Sequence, residues 1–162
     1  MVRVLVQIDL QNLFLTSKQK LDLEKLNDIL TNSTDQVIVD KIVYMLRNNK
    51  LDSEKFEKKL LNLGYTVKVK DTRNNPINSM NHDIGITVDS IKRMDSFDKL
   101  ILMSGDGDFV DLVKYLQDNL KQVDLWCFEQ SLSRNLKPLV NKIHYITKEM
   151  IYVPPKVKAC GF

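Results

Sequence analysis

Apolar positions along the chain fall into alternating short and long segments. Val2 to Ile8 is a short β-branched run and predicts a strand. Leu21, Leu23, Leu26, Ile29 and Leu30 then recur at roughly helical spacing, Val37 to Tyr44 is strand-like again, and Tyr65 to Val69 alternates with period two. Between the last two strands, Asp52 reads as an N-cap, Leu51 and Phe56 as a hydrophobic staple and Gly64 as a C′ stop, which predicts a helix over 53–63. After a polar loop with Arg73, Asn74, Asn75 and Pro76, the residues Ile84, Val88 and Ile91 share one face of a helix that should begin near Asp83.

Leu100 to Met103 is a continuous apolar run, the pattern of a central parallel strand buried on both faces. Ser104-Gly105-Asp106-Gly107-Asp108 turns the chain, and Phe109, Leu112, Val113, Leu116 and Leu120 follow as the apolar stripe of an amphipathic helix. Val123 to Phe128 predicts the next strand, Ser131 caps a short helix that Pro138 restricts, and Ile143 to Ile146 closes the regular part. This alternation of strands and helices predicts an α/β fold, a single domain with a mostly parallel central sheet and helices on both faces. The domain spans 1–150, and a short basic C-terminal tail covers 151–162. In such sheets, function gathers at the carboxyl ends of the strands near a topological switch point.

With 162 residues, 43% apolar and 28% charged, the chain suits one domain with a real core. No apolar stretch approaches the roughly 20 residues that span a bilayer. The first residues lack the apolar region of a signal peptide, so a cytoplasmic protein is expected. Two cysteines, Cys127 and Cys160, and two histidines, His82 and His144, support neither a disulfide framework nor a zinc cluster. Cys127 reads as a buried inert thiol, and any metal must be held by carboxylates. The net charge of +3 is uneven: Arg134, Lys137, Lys142, Lys148, Lys156 and Lys158 face Glu149 alone in 131–162, leaving the rest slightly acidic. A basic flank beside an acidic body suits a protein that holds a polyanion near carboxylates.

Those carboxylates follow the strands. Asp9 ends the first strand with Asn12 three residues on, Asp106 and Asp108 follow the central run, and Asp83 opens its helix. Asp83, Asp106 and Asp108 would each serve as a helix cap, whereas Asp9 ends a buried strand without being needed as one. Adjacent strand ends would gather these acids in one crevice, where a divalent cation would offset their mutual repulsion.

Val4-Leu5-Val6-Gln7-Ile8-Asp9 leading to Asn12-Leu13-Phe14, Asp83 with Asp89, and Ser104-Gly105-Asp106-Gly107-Asp108-Phe109 resemble the NYN-domain family of PIN-like nucleases, including its LabA-like group. Ser133, Leu136 and Val140-Asn141 are similar to its closing pattern, and the likeness runs from about residue 3 to 147. Leu10 stands where the family often has Gly, and Asn141 where relatives often have an acid. The resemblance implies a PIN-like, Rossmann-like three-layer sandwich and a metal-dependent ribonuclease, endonucleolytic in type. It implies Asp9, Asp83, Asp106 and Asp108 as ligands of Mg²⁺ or Mn²⁺, with a water acidified by the cation attacking the phosphorus in line. Asn12 would hydrogen-bond substrate or water, and Ser104 would orient a carboxylate. Asp89, six residues past Asp83 and so on another face, ranks below them as a supporting residue.

Lys70, Arg73, Arg134 and Lys137 are candidate contacts to the RNA backbone. His82 reads as a solvated loop histidine rather than a general base. RNA is the implied partner and a membrane is not; a homo-oligomer is compatible with the sequence. Two rival functions remain open here. Gly105-Asp106 with Asp111 fits a haloacid-dehalogenase-type phosphatase motif, but Gln11 stands where that chemistry needs a second acid after Asp9. A non-catalytic nucleic-acid-binding or scaffold domain would keep the same fold without turnover.

Overall fold

The computed structural model of the chain describes residues 1–17, 20–47, 52–72 and 82–153. Six strands form one parallel sheet: β1 (Val2–Asp9), β2 (Gln36–Arg47), β3 (Thr66–Asp71), β4 (Lys99–Met103), β5 (Gln122–Cys127) and β6 (Lys142–Tyr145), in the order β3-β2-β1-β4-β5-β6. Five α-helices accompany them among the described residues: α1 (Leu10–Ser17), α2 (Leu23–Thr31), α3 (Asp52–Asn62), α4 (Asp83–Lys92) and α5 (Val110–Asp118). The result is the three-layer α/β arrangement that the alternation of segments predicts. The order turns from β1 to both sides, so the topological switch point lies between β1 and β4.

Side-chain alternation along the central strands builds two cores. Val4, Val6 and Ile8 of β1 join Ile101 and Met103 of β4 against Leu13 of α1, Leu23, Leu26 and Leu30 of α2 and Leu60 of α3. On the other face, Leu5, Leu100, Leu102, Val123 and Leu125 pack against Ile86 of α4 and Leu112, Val113 and Leu116 of α5. Each such leucine, isoleucine or valine contributes roughly 1.5–3 kcal/mol on leaving water. After β6, Ile151 forms an antiparallel bridge with Leu21, and Tyr152 N donates to Lys20 O at 2.8 Å, tying that segment to the approach of α2. No helix among the described residues is long and apolar enough to cross a membrane.

One helix is unforeseen and three local expectations are corrected. Helix α1 has no counterpart in the sequence reading because only Leu13 of its eight residues is buried, too little to generate a periodic stripe. On α4, the predicted apolar face is turned outward, with Ile84 79%, Val88 39% and Ile91 40% exposed, while Ile86 and Ser90 face the sheet. Ser131 caps no helix; it ends a 3-10 turn over Glu129–Ser131, and the next capping contact is Ser133 Oγ accepting from Asn135 N at 3.3 Å. Leu120, predicted as the last core position of α5, is 92% exposed with φ +62°. The staple residue Leu51, the Arg73 loop and the tail from Pro154 lie outside the described residues.

Leu120 owes its position to helix termination. Lys121 N donates to Leu116 O and Leu120 N to Gln117 O, both at 2.9 Å, which places Leu120 at the left-handed position of a Schellman motif. Gly64 holds the equivalent position after α3, with φ +78° and bonds from Tyr65 N to Leu60 O and Gly64 N to Leu61 O. A left-handed conformation costs a β-carbon residue about 1–2 kcal/mol, part of which glycine returns through its freer unfolded chain. Leu120→Gly should therefore stabilise the protein by about 0.5–1 kcal/mol. Thermal unfolding checks this, with a rise of a few degrees expected and a fall counting against the assignment.

Candidate metal centre

Ile8 pairs with Met103 at the switch point, so the residues that follow them, Asp9 and Ser104, emerge side by side. Asp9 is only 4% exposed, and its Oδ1 accepts from Asn12 N at 3.2 Å. That bond makes Asp9 the cap of α1, against the expectation that it is not needed as one. Ser104 is fully buried; its hydroxyl donates to Asp9 Oδ2 at 3.4 Å and accepts from Asp106 N at 3.3 Å. Asn12 Oδ1 accepts from Gly105 N at 3.3 Å, and Asp106 Oδ1 accepts from Asp108 N at 3.0 Å, capping a 3-10 turn over Gly107–Phe109.

The glycines of this turn are set by close approach. A Cβ on Gly105 would lie 2.3 Å from Ser131 O, and one on Gly107 would lie 2.7 Å from Ser133 Oγ. Ser133 N also donates to Gly105 O at 2.9 Å. The 131–133 segment thus clamps the turn from above; at Gly105 it does so with backbone, where only glycine fits, and at Gly107 with the Ser133 hydroxyl.

Helix α4 brings in the last acid. Asp83 is its first residue, the cap position falling on His82, and oxygens of Asp83, Asp106 and Asp108 lie within 4.8 Å of one another. Burial pushes the Asp9 carboxyl up to about 6; the charges of Asp83 and Asp106 add to this, while the Asn12 and Ser104 hydrogen bonds oppose it. The structure therefore brings three aspartates together and sets the fourth behind them, within their electrostatic reach. Clustered carboxylate oxygens are the donor set of a hard divalent cation, which favours oxygen ligands.

Other singled-out residues take different places. Asp89 stands apart from the three acids, accepting from Tyr44 OH at 2.8 Å and lying 3.9 Å from Lys68 Nζ. His82 is not a solvated loop residue: it is buried, with Nε2 3.0 Å from Met45 O and its ring edge-on to Tyr44. Burial holds its pKa below the usual histidine value, and the Lys70 charge adds to that against the Met45 bond. Lys70 is half-buried on β3, within electrostatic reach of His82. Arg134 and Lys137 are exposed in the turns before β6. Arg134 lines an open groove of about 510 Å³ together with Gly107, Asp111, Lys114 and Asn135. Asn141 braces β5 to β6 through Val123, its Oδ1 accepting from Val123 N at 2.8 Å. Cys127 is buried, and burial raises its thiol to about 11.

Sequence reasoning missed Lys114, whose place in the groove depends on tertiary packing, and it missed Gln7 and Tyr44. Gln7, a polar residue within the apolar run of β1, carried a signal. It is fully buried and donates through Nε2 to Tyr44 OH at 2.9 Å.

Known proteins share this framework. The sequence model of the NYN domain family matches residues 3–147. The low amplitude and bright protein LabA of Synechococcus elongatus is 24% identical over 146 residues, spanning 83% of this chain and 78% of that protein. The crystal structure of a protein of unknown function from Vibrio parahaemolyticus superimposes with a TM-score of 0.82 at 23% identity, covering 93% of this chain and 96% of that one. That likeness is one of fold.

The raised pKa of Asp9 carries a stability consequence. A carboxyl whose folded pKa exceeds its unfolded value favours folding at low pH, and the advantage is lost as pH rises through about 6. In metal-free buffer, Asp9→Asn, which keeps an acceptor for Asn12 N, should exceed the parent in stability by on the order of 2 kcal/mol above pH 7. The gap should close toward pH 4. Unfolding of both proteins across that range is the check, and a pH-independent difference would count against ionisation as its origin.

Proposed function

The chain belongs to the NYN domain family, and on that premise we propose that it is a metal-dependent ribonuclease that cuts RNA internally. The observation that carries the proposal is the convergence of Asp83, Asp106 and Asp108 in front of the buried Asp9 at the switch point of the sheet. Asp83, Asp106 and Asp108 would hold Mg²⁺ or Mn²⁺, with Asp9 completing the acidic set from behind. Such a cation would lower the pKa of a water and offset charge on the phosphoryl oxygens.

The chain's own residues supply position. Ser104 fixes Asp9 and the Asp106 backbone together, and Asn12 spans from α1 to the Gly105 amide. These bonds hold the acids before substrate arrives, so little reorganisation is left for the reaction itself. The groove with Lys114 and Arg134 starts at Gly107, next to the acids, and two cations there suit a phosphodiester backbone. Lys137, exposed three residues past Arg134, and Lys70, on β3 near His82, are the further candidate contacts. Cation contacts to phosphate position the strand without reading its sequence.

End-labelled RNA incubated with the protein in Mg²⁺, Mn²⁺ or EDTA tests the proposal. The parent should cut with either metal and not in EDTA. Asp106→Asn should lower cutting by more than about a hundredfold while leaving the fold intact, because asparagine caps a helical turn as well as aspartate does. RNA bound without cutting under any metal would leave a binding scaffold, and turnover of a small phosphomonoester would point to a phosphatase. In a binding assay at graded salt, Arg134→Ala should weaken RNA binding similarly for all sequences and flatten the salt dependence by about one unit of log–log slope. An unchanged slope would remove Arg134 from the backbone path.

A further inference from the structure

Helix α4 delivers Asp83, and the way it is fastened to the sheet is unusual. The apolar residues Ile84, Val88 and Ile91 are left exposed, and Ile86 is its only fully buried apolar side chain. Its seat is made instead of hydrogen bonds. Gln7 Nε2 donates to Ile86 O at 3.2 Å, Ser90 Oγ donates to Gln7 Oε1 at 2.5 Å, and Tyr44 OH donates to Asp89 Oδ2 at 2.8 Å. Gln7 Nε2 also donates to Tyr44 OH at 2.9 Å, joining the three bonds into one network. Gln7, Tyr44 and Ser90 are all buried, and burial next to Asp89 raises the Tyr44 hydroxyl well above its usual pKa, so it remains a donor.

The network lies directly beneath the acids. Gln7 and Asp9 are two apart on β1 and so point to the same face of the sheet, and Tyr44 is the strand partner of Asp9 on β2. Apolar contact is non-directional and lets a helix slide or roll at little cost, whereas hydrogen bonds to Ile86, Asp89 and Ser90 fix both its rotation and its axial position. Burying Gln7, Tyr44 and Ser90 where apolar groups would pack is not the stabilising choice; it is a choice that specifies one geometry.

We infer that Tyr44, Gln7, Ser90 and Asp89 are positioning residues for the metal centre: their network sets where α4 holds Asp83 relative to Asp9, Asp106 and Asp108. The inference rests on the metal-site reading above and deepens it. It assigns Asp89 a role through its acceptor oxygen rather than through charge at the metal.

Calorimetric titration of Mn²⁺ into each protein, with thermal unfolding in metal-free buffer as the control for folding, tests this. Tyr44→Phe, Ser90→Ala and Asp89→Ala should each weaken Mn²⁺ binding about tenfold, the lower end for residues that orient metal ligands. Asp89→Asn should bind within about threefold of the parent, because the amide oxygen still accepts from Tyr44. A merely structural network would lower the unfolding temperature and leave Mn²⁺ affinity unchanged, which would overturn the inference. Loss of affinity in Asp89→Asn equal to that in Asp89→Ala would overturn the role given to Asp89. A parent that takes up no Mn²⁺ overturns the metal-site reading and the inference with it, whereas a parent and variants that bind equally overturn the inference alone.

Discussion

Mutual repulsion among the aspartates at the carboxyl ends of β1 and β4 is the constraint to which the surrounding structure responds. Asp9 is buried, Asp83 and Asp106 add their charges to it, and its carboxyl is pushed to about 6 as a result. Left alone, such a group would protonate or pull the loops apart. The structure instead meets it with fixed donors: the Asn12 amide, the Ser104 hydroxyl and, around Asp106, the Asp108 amide. Each donor comes from a different piece of chain, so the acids are held only when α1, β4 and the turn after it are all in place. The two apolar cores make that possible, because they fix β1 and β4 as neighbours along a five-residue register from Val4↔Lys99 to Ile8↔Met103.

The same constraint explains the glycines. A turn that must present Asp106 and Asp108 while passing under the 131–133 segment has no room for a Cβ at Gly105, and one at Gly107 would have to turn the Ser133 hydroxyl aside. Sequence alone attributes these glycines to a tight turn; the structure attributes them to a second segment lying on top. This also shows why Ser131 and Ser133, which are far from Asp9 in sequence, belong to the architecture of the site.

Much of the fold was legible because strands buried on both faces write apolar runs, and Val4–Ile8, broken at Gln7 alone, and Leu100–Met103 are such runs. Asp9, Asn12, Ser104, Asp106 and Asp108 were legible for the same reason, since they follow those runs directly. What was not legible depends on tertiary contacts that leave no periodic trace. The apolar spacing of Ile84, Val88 and Ile91 points to a buried face, yet hydrogen bonds seat the helix on its other side through Ser90 and Asp89. Leu120 fits the apolar spacing of α5, but the helix has already ended, and a Schellman motif leaves it in solvent. His82 sits beside a polar loop in sequence and inside the protein in space, because tertiary packing sets its ring against the Met45 carbonyl and the Tyr44 ring of β2, far earlier in the chain.

Charge distribution gives the site its last property. The three clustered acids repel a polyanion, while Lys114 and Arg134 in the adjoining groove attract one. At short range the acids prevail, because several like charges share a partly desolvated crevice and screening by salt acts weakly there. A divalent cation at the acids would cancel most of their charge without moving a residue. A phosphate in the groove and a cation at the acids would therefore each make the other more favourable, and linkage requires the two couplings to be equal. Under the proposed function, the groove cations would keep a strand close enough for that coupling, and the polar seat of α4 would keep Asp83 where a cation needs it.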